Sequence, residues 1–456
     1  MNNPLTHIYN ACNPYKPATA VYYLDCSEAR GSSALTREFQ RRLGRIRNDY
    51  LCFLFTGHIG CGKSSELEQL RYALDHPEPP NGRYFPILLN VSDYLDDYDT
   101  DVTDLLLAIV AELAATLREG VSVELEDNYF VKHFNEVKKL FMGEVEINKG
   151  ELSLGIAKIE IQRLKKDPTA RQKVRETLAP QMSTMLHEIN TIFDKARLEL
   201  KKIKVKSGEQ PYTDFVLILD NLEKIRGFAN KEEGLESQRE LFLERAPQLV
   251  GMGAHVIYTV PLQLVRSAEG PQLGQRYDSE PFVLPMVKVI ERGTRNPFLP
   301  GVDCMRRLLQ RRLGDLTLEE VFEKDTLDFL LTYSGGHTRH LMIFVQNACV
   351  YADDIPIPLK AAHRAIQQTI RTYSTAISEA HWEKLARLDR SADQMIPGGD
   401  ADYLSMLENL SVLEYINGSE DDPFALAEPW YAVNPIVREL QKFKAAVNVP
   451  SEVSAS

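Results

Sequence analysis

The sequence predicts an α/β fold: a parallel sheet interleaved with helices, with a helical insert, a small helical lid and a C-terminal winged-helix domain. Three observations predict it. A short apolar run, Leu51-Cys52-Phe53-Leu54-Phe55, leads into a glycine-rich loop and then a helical pattern. Further short apolar runs alternate with longer amphipathic stretches, as in a parallel sheet with crossover helices. Late in the chain, short helical patterns give way to strand-like runs on either side of Asn417-Gly418, the order of a winged helix.

The chain has 456 residues and a formal net charge of −12. That length exceeds one ordinary core and implies two or three domains. The acidic balance repels nucleic acid globally, so a phosphate-backbone contact requires a local basic face. Six cysteines, Cys12, Cys26, Cys52, Cys61, Cys304 and Cys349, include no Cys-x-x-Cys pair. This suggests neither a disulfide framework nor a zinc site and fits a reducing compartment. No basic leader precedes an apolar core, and no stretch approaches membrane-spanning length, so the expected location is cytoplasmic, with no membrane partner.

In chain order, a strand-like run, Val21-Tyr22-Tyr23-Leu24, is followed by an arginine-rich helical pattern over about 33–47. After the glycine loop, a strand is expected at 85–91 and a helix at 103–117. The region 120–206 turns polar and basic, with Ile156, Ile159, Leu164, Leu178, Met182, Met185, Ile189, Ile192 and Phe193 at roughly helical spacing. It reads as an inserted helical hairpin or arm. Strands return at 215–220 and 254–260 around a helix over 234–249, and a last strand at 282–289 precedes helices over 300–362. The tail 448–456 reads as disordered.

Gly57-His58-Ile59-Gly60-Cys61-Gly62-Lys63-Ser64 satisfies G-x-x-x-x-G-K-[ST] between a strand and a helix, the context that motif requires of a P-loop NTPase. Its glycines let backbone amides turn inward onto a β-phosphate, and the helix N-terminus adds a favourable dipole. Gly57, His58, Ile59, Gly60, Cys61, Gly62, Lys63, Ser64 and Ser65 are therefore the candidate nucleotide contacts. Lys63 neutralises β- and γ-phosphate charge, and Ser64 is a magnesium ligand. Cys61 is read as loop filler rather than a redox sensor.

Asp220 ends the apolar strand at 215–220, where a carboxylate can serve magnesium through a bound water. Asn221 follows it, and the nearest further carboxylate is Glu223. A glutamate directly after the aspartate would orient the attacking water, so its displacement to Glu223 points to slow hydrolysis or a switch held in its ATP form.

Leu217-Ile218-Leu219-Asp220-Asn221-Leu222-Glu223, with the loop at 57–64, resembles the AAA+ and STAND branches of P-loop ATPases, specifically those with an initiator-like core and a C-terminal winged helix. The resemblance covers most of the chain outside the insert. It implies that Thr259 stands at the sensor 1 place. It implies that Arg339, within Ser334-Gly335-Gly336-His337-Thr338-Arg339, is a lid arginine touching the γ-phosphate. Arg276, with Arg266 as a substitute, would reach a neighbouring subunit's site and is counted with Lys63, Asp220 and Glu223 among the catalytic candidates. No N-K-x-D element follows; the string at 230–233 lacks its aspartate, so adenine is the expected base. The pair His337 and His340 lacks a third metal ligand nearby.

The layout expected is a lead-in at 1–50, an ATPase core at 51–295 with its insert at 120–210, a lid at 296–370, a winged helix at 371–447 and a tail at 448–456. From 158 to 206 there are thirteen basic and six acidic side chains, a candidate DNA contact or a solvated arm. Acids around 400–408 and 420–422 suit the wing to protein docking, with Trp430 and Tyr431 packing its hairpin. The leading expectation is an ATP- and Mg2+-binding, slowly hydrolysing switch. It oligomerises with itself or engages an effector protein, and the resemblance suggests bacterial antiphage defence as the setting. The alternatives are a DNA-binding ATPase similar to replication initiators or transposon target selectors, and a metabolic kinase.

Overall fold

The computed structural model describes residues 3–123, 125, 162, 165–204, 208–227, 235–417 and 428–448. Ile156, Ile159, Leu164, Gly234, Gly418, the string 230–233, the acidic loop 420–422 and the tail beyond Asn448 lie outside the described residues. Five parallel strands form the central sheet: β1 (Cys52–Gly57), β2 (Arg83–Asn90), β3 (Tyr212–Asp220), β4 (His255–Thr259) and β5 (Phe282–Leu284). Their order is β2-β3-β4-β1-β5, which places the ends of β1 and β3 on either side of β4. The sheet is buried on both faces, and its strands accordingly read as continuous apolar runs.

One face is covered by helices Leu35–Leu43 and Lys63–Asp75, which pack Phe39, Leu67 and Leu70 onto Phe53, Phe55, Ile218 and Ile257. The other face is covered by helices Val102–Val121 and Met182–Lys202. Asp101 and Asp104 start the first of these with a reciprocal capping box. The second was expected to belong to an arm. Instead its stripe of Met185, Ile189, Ile192, Phe193, Ala196 and Leu200 is buried on the sheet, and Phe193 meets Phe215 of β3 edge-on with ring centroids 5.4 Å apart. An apolar stripe of that width lowers its free energy against the sheet more than in solvent.

Three further expectations are corrected. Residues 21–24 form no strand: the chain turns at 20–22, where the amides of Tyr22 and Tyr23 both donate to the Thr19 carbonyl, at 2.9 and 2.8 Å. The strand expected to 289 ends at Leu284, because Pro285 has no amide to continue the ladder. The helix expected over 234–249 is broken into Leu235–Arg239, a π turn at Glu240–Glu244 and Ala246–Val250; the Arg245 amide reaches back to the Glu240 carbonyl, just before Pro247.

Beyond the sheet, helices Leu299–Gln310, Thr326–Ser334, Thr338–Tyr351 and Leu359–Ala376 share a second core with the N-terminal helix Pro4–Ala11. Helices His381–Arg390 and Ala401–Glu408 then lead to an antiparallel hairpin, β6 (Val412–Ile416) and β7 (Pro429–Val433). Trp430 is fully buried there, stacked on Tyr415 at 4.5 Å, and its indole N–H donates to Asn417 Oδ1 at 2.9 Å. No helix among the described residues is long and apolar enough to cross a membrane.

The placement of helix Met182–Lys202 is testable through Phe193→Ala. A buried sheet contact predicts a loss of ~3–5 kcal/mol in urea unfolding, against less than ~0.5 kcal/mol for a solvated arm.

Candidate nucleotide site

The loop between β1 and helix Lys63–Asp75 turns on glycines held at positive φ. Gly60, at φ 84°, is the clearest case: a Cβ there would lie 2.8 Å from His337 Cε1 and 2.9 Å from Arg339 Cβ. The lid presses on this point. The Arg339 amide and the Thr338 hydroxyl donate to the Gly60 carbonyl at 3.2 and 3.0 Å. His337 Nδ1 accepts the His340 amide at 3.0 Å, so its Nε2–H donates to the Ile59 carbonyl at 2.8 Å. His337 is thus a cap and a loop clamp, not half of a metal pair.

Lys63 is 5 % exposed, and a buried ammonium requires partners. Its Nζ donates to the carbonyls of Gly57 and His58 at 2.9 and 3.1 Å and pairs with Glu223 Oε1 at 3.0 Å. Burial alone would pull the Lys63 pKa down, but Glu223, Cys61 and Asp220 together outweigh it and hold the ammonium above its ordinary range. Glu223 answers in kind: burial pushes its carboxyl up, and Lys63 brings it below the usual carboxylate range.

The turn after β3 makes this pairing possible. Asn221 adopts φ 66°, its Nδ2 donating to Asn90 Oδ1 at 2.7 Å, and a 3-10 turn at Leu222–Lys224 returns Glu223 beneath the loop. Asparagine tolerates the left-handed region that this reversal requires. Thr259, at the end of β4, accepts the Leu222 amide at 3.0 Å and donates to the Leu219 carbonyl at 3.1 Å. It therefore stands behind Glu223, supporting the turn, and does not line the cleft.

Ser64 lies close enough to Asp220 for its hydroxyl to favour the carboxylate, bringing the two expected magnesium ligands together at the cleft. Burial raises its pKa, and Glu223 raises it further, against the opposing pull of Ser64 and Lys63. A hydroxyl and a carboxylate are hard oxygen donors, which fits Mg2+ completed by water and phosphate oxygens.

These groups face a cleft of ≈ 330 Å³ lined by Ile59, Gly60, Gly62, Lys63, Ser64, Ser65, Asp220, Glu223 and Arg339, among others. Gly57 and His58 lie on the far side of the loop, and Cys61 is fully buried. Arg276 is exposed on helix Gly270–Tyr277 and does not join the site within one chain. Arg266, its substitute, is already bound to Glu414 through two contacts at 2.7 and 2.6 Å.

The sequence reading missed the N-terminal wall. Residues 13–18 line the cleft, the Ala18 amide donates to Ser65 Oγ at 2.8 Å, and the Tyr23 hydroxyl donates to Glu66 at 2.9 Å. Arg30 is buried with one guanidinium nitrogen 2.7 Å from the Cys61 carbonyl. Arg30, Arg312 and Arg339 all line the cleft, and none pairs with a carboxylate among the described residues. The cleft thus gathers Arg30, Lys63, Arg312 and Arg339 beside Glu66, Glu68, Asp220 and Glu223, and the arginines held outside close ion pairs are free to meet a polyphosphate ligand.

No family model matches the chain, and no curated protein matches it. Solved structures do. The Walker-type ATPase paby2304 of Pyrococcus abyssi is 14% identical, covering 91% of this chain and 98% of that one at a TM-score of 0.42. The ORC2 protein of Aeropyrum pernix, in ADPNP–ADP complexes, is 12% identical over 96% and 97% at 0.40. Cdc6p from Pyrobaculum aerophilum is 11% identical over 96% and 97% at 0.40. The α/β assignment rests on the strand order and the loop of this chain.

Two outcomes follow from the loop's packing. Gly60→Ala is expected to weaken binding of a fluorescent adenine nucleotide by at least ~10-fold, the equivalent of ~1.4 kcal/mol of misplaced loop; unchanged affinity would contradict the clash. Burial lowers the imidazoles of His58 and His340 to about 4, and that of His337 well below its ordinary value. The unfolded chain takes up protons below about pH 6.5, whereas the folded chain does not, so stability is full above that pH and falls towards pH 4. The expected loss is ~2 kcal/mol per histidine at pH 5, read from urea midpoints at pH 7.5 and 5.

Proposed function

We propose that the chain is a Mg-ATP-binding, slowly hydrolysing molecular switch of the AAA+/STAND type. The observation that carries this reading is the convergence of Lys63, Ser64, Asp220 and Glu223 under a glycine loop that the lid and the N-terminal segment also grip. In this reading the loop amides and Lys63 bind the β- and γ-phosphates, and Ser64 and Asp220 would hold Mg2+, which would supply neutralisation of phosphate charge. Glu223 orients the attacking water and accepts its proton. Its pairing with Lys63 at 3.0 Å must loosen first, which supports slow turnover. Arg339 supplies the lid's nucleotide-dependent contact, and Arg276 a contact to a neighbouring copy. An effector protein or further copies are the proposed partners, and the resemblance to STAND ATPases supports antiviral defence as the setting.

A second reading, nucleic-acid handling, is favoured by helix Leu35–Leu43 and its C-terminal extension. Arg37, Arg41 and Arg45 are exposed there without carboxylate partners among the described residues. The insert supports it less. Arg171 and Arg175 pair with Asp99, Arg175 also with Asp104, and Arg197 with Asp214.

Particle mass with ADP and with a non-hydrolysable ATP analogue tests the first reading. Growth into a defined oligomer with the analogue alone, lost in Lys63→Ala, is expected; an unchanged monomer argues against self-assembly. Glu223→Gln is expected to lower phosphate release by ~100-fold or more, the lower end of what a general base contributes, while nucleotide binding persists. Salt-dependent binding of a labelled duplex, lost when Arg37, Arg41 and Arg45 become glutamine, would favour the second reading.

A further inference from the structure

The far side of the phosphate loop is tied to the C-terminal hairpin through one residue. His58 is 2 % exposed, and its Nε2 accepts the Glu414 amide of β6 at 2.9 Å. Its Nδ1 must therefore carry the proton, which it donates to the Leu407 carbonyl at 3.1 Å, at the end of helix Ala401–Glu408. A neutral imidazole thus fills both roles, bridging the helix and the strand on either side of the turn at 409–411.

Glu414 is the other half of the joint. At 1 % exposure it is a buried carboxylate, and Arg266 neutralises it with a two-pronged contact at 2.7 and 2.6 Å. Its carbonyl accepts the Met286 amide at 3.1 Å, just past the proline that ends β5. Three separate core segments therefore converge on one hairpin residue: the phosphate loop, the helix after β4 and the exit from β5.

Each of those segments also leads back to the nucleotide groups. The His58 carbonyl accepts Lys63 Nζ, Lys63 holds Glu223, and the turn carrying Glu223 hangs on Thr259 at the end of β4. Helix Leu262–Arg266 follows β4 directly and carries Arg266 to Glu414. The contacts close a circuit in which His58 faces Lys63 with its backbone and the hairpin with its side chain. Tyr415, next to Glu414 in β6, adds a bond from its hydroxyl to the Gly335 carbonyl at 2.6 Å, two residues before the lid clamp His337.

We infer that His58 and Glu414 are positioning residues that transmit the state of the phosphate loop to the C-terminal hairpin. This rests on the ATP reading above and names how that site is regulated. A shift of the loop peptide at His58 on binding phosphate must either carry β6 with it or break two buried hydrogen bonds, so hairpin order differs between ATP- and ADP-bound chains.

Amide hydrogen exchange of the full chain, at saturating ADP and at saturating non-hydrolysable ATP analogue, reads this directly. In the wild type, exchange in 412–416 is expected to differ at least ~5-fold between the two nucleotides, the lower range of a coupling between sites. His58→Phe keeps a ring but removes the acceptor and donor, and is expected to bring the ratio close to one. His58→Gln, whose amide offers both, is expected to restore it. Glu414→Gln keeps the backbone bond to His58, weakens the hold of Arg266, and is expected to reduce the ratio while nucleotide affinity stays within ~2-fold. A purely structural joint would loosen the hairpin equally with both nucleotides, so a preserved ratio in His58→Phe and Glu414→Gln overturns the inference. Nucleotide binding with no difference in the wild type overturns it too and leaves the ATP reading standing. A wild type that binds no nucleotide overturns both.

Discussion

The molecule is organised around a desolvated ammonium. Lys63 sits where water cannot serve it, so the protein must surround it with acceptors, and it does so with two loop carbonyls and Glu223. Satisfying that charge requires the loop to curl over its own lysine and β3 to end in a reversal that returns a carboxylate. The reversal needs Asn221 in the left-handed region and Thr259 behind it. The site geometry is in this sense the solution to one buried charge.

The same economy appears in how the surrounding parts attach. The lid and the N-terminal segment dock on backbone carbonyls of the loop, at Gly60, Ile59 and Cys61, whereas the hairpin docks on the His58 side chain. The backbone contacts record the path of the loop rather than the identity of its side chains, and His58 carries the same path to the hairpin through its imidazole.

The sheet was legible in the sequence because buried parallel strands are apolar on both faces, and the loop because its glycines and lysine stand at fixed spacing. The strand ends were less so. Apolar character continues to Val289, but Pro285 ends the ladder, a matter of one missing donor rather than of hydropathy. Helix Met182–Lys202 has the periodicity expected of an arm and of a core helix alike, and only the neighbouring sheet decides between them. Arg266 looked free because Glu414 is 148 residues away along the chain. Arg30, Arg312 and the segment 13–18 carry no motif at all, and only the folded chain brings them to the loop.

The two outer strands of the central sheet share a feature whose effect lies outside the monomer. β2 contains Pro86, and β5 is three residues long and stops at Pro285. Each edge therefore lacks a donor that an added strand would need, and past β5 the Met286 amide is already taken by the hairpin. Extension of the central sheet by an added strand is therefore disfavoured at both ends. Copies of this chain that meet are thereby steered from the edges of the central sheet towards side-chain surfaces, where contact can be made to depend on the nucleotide.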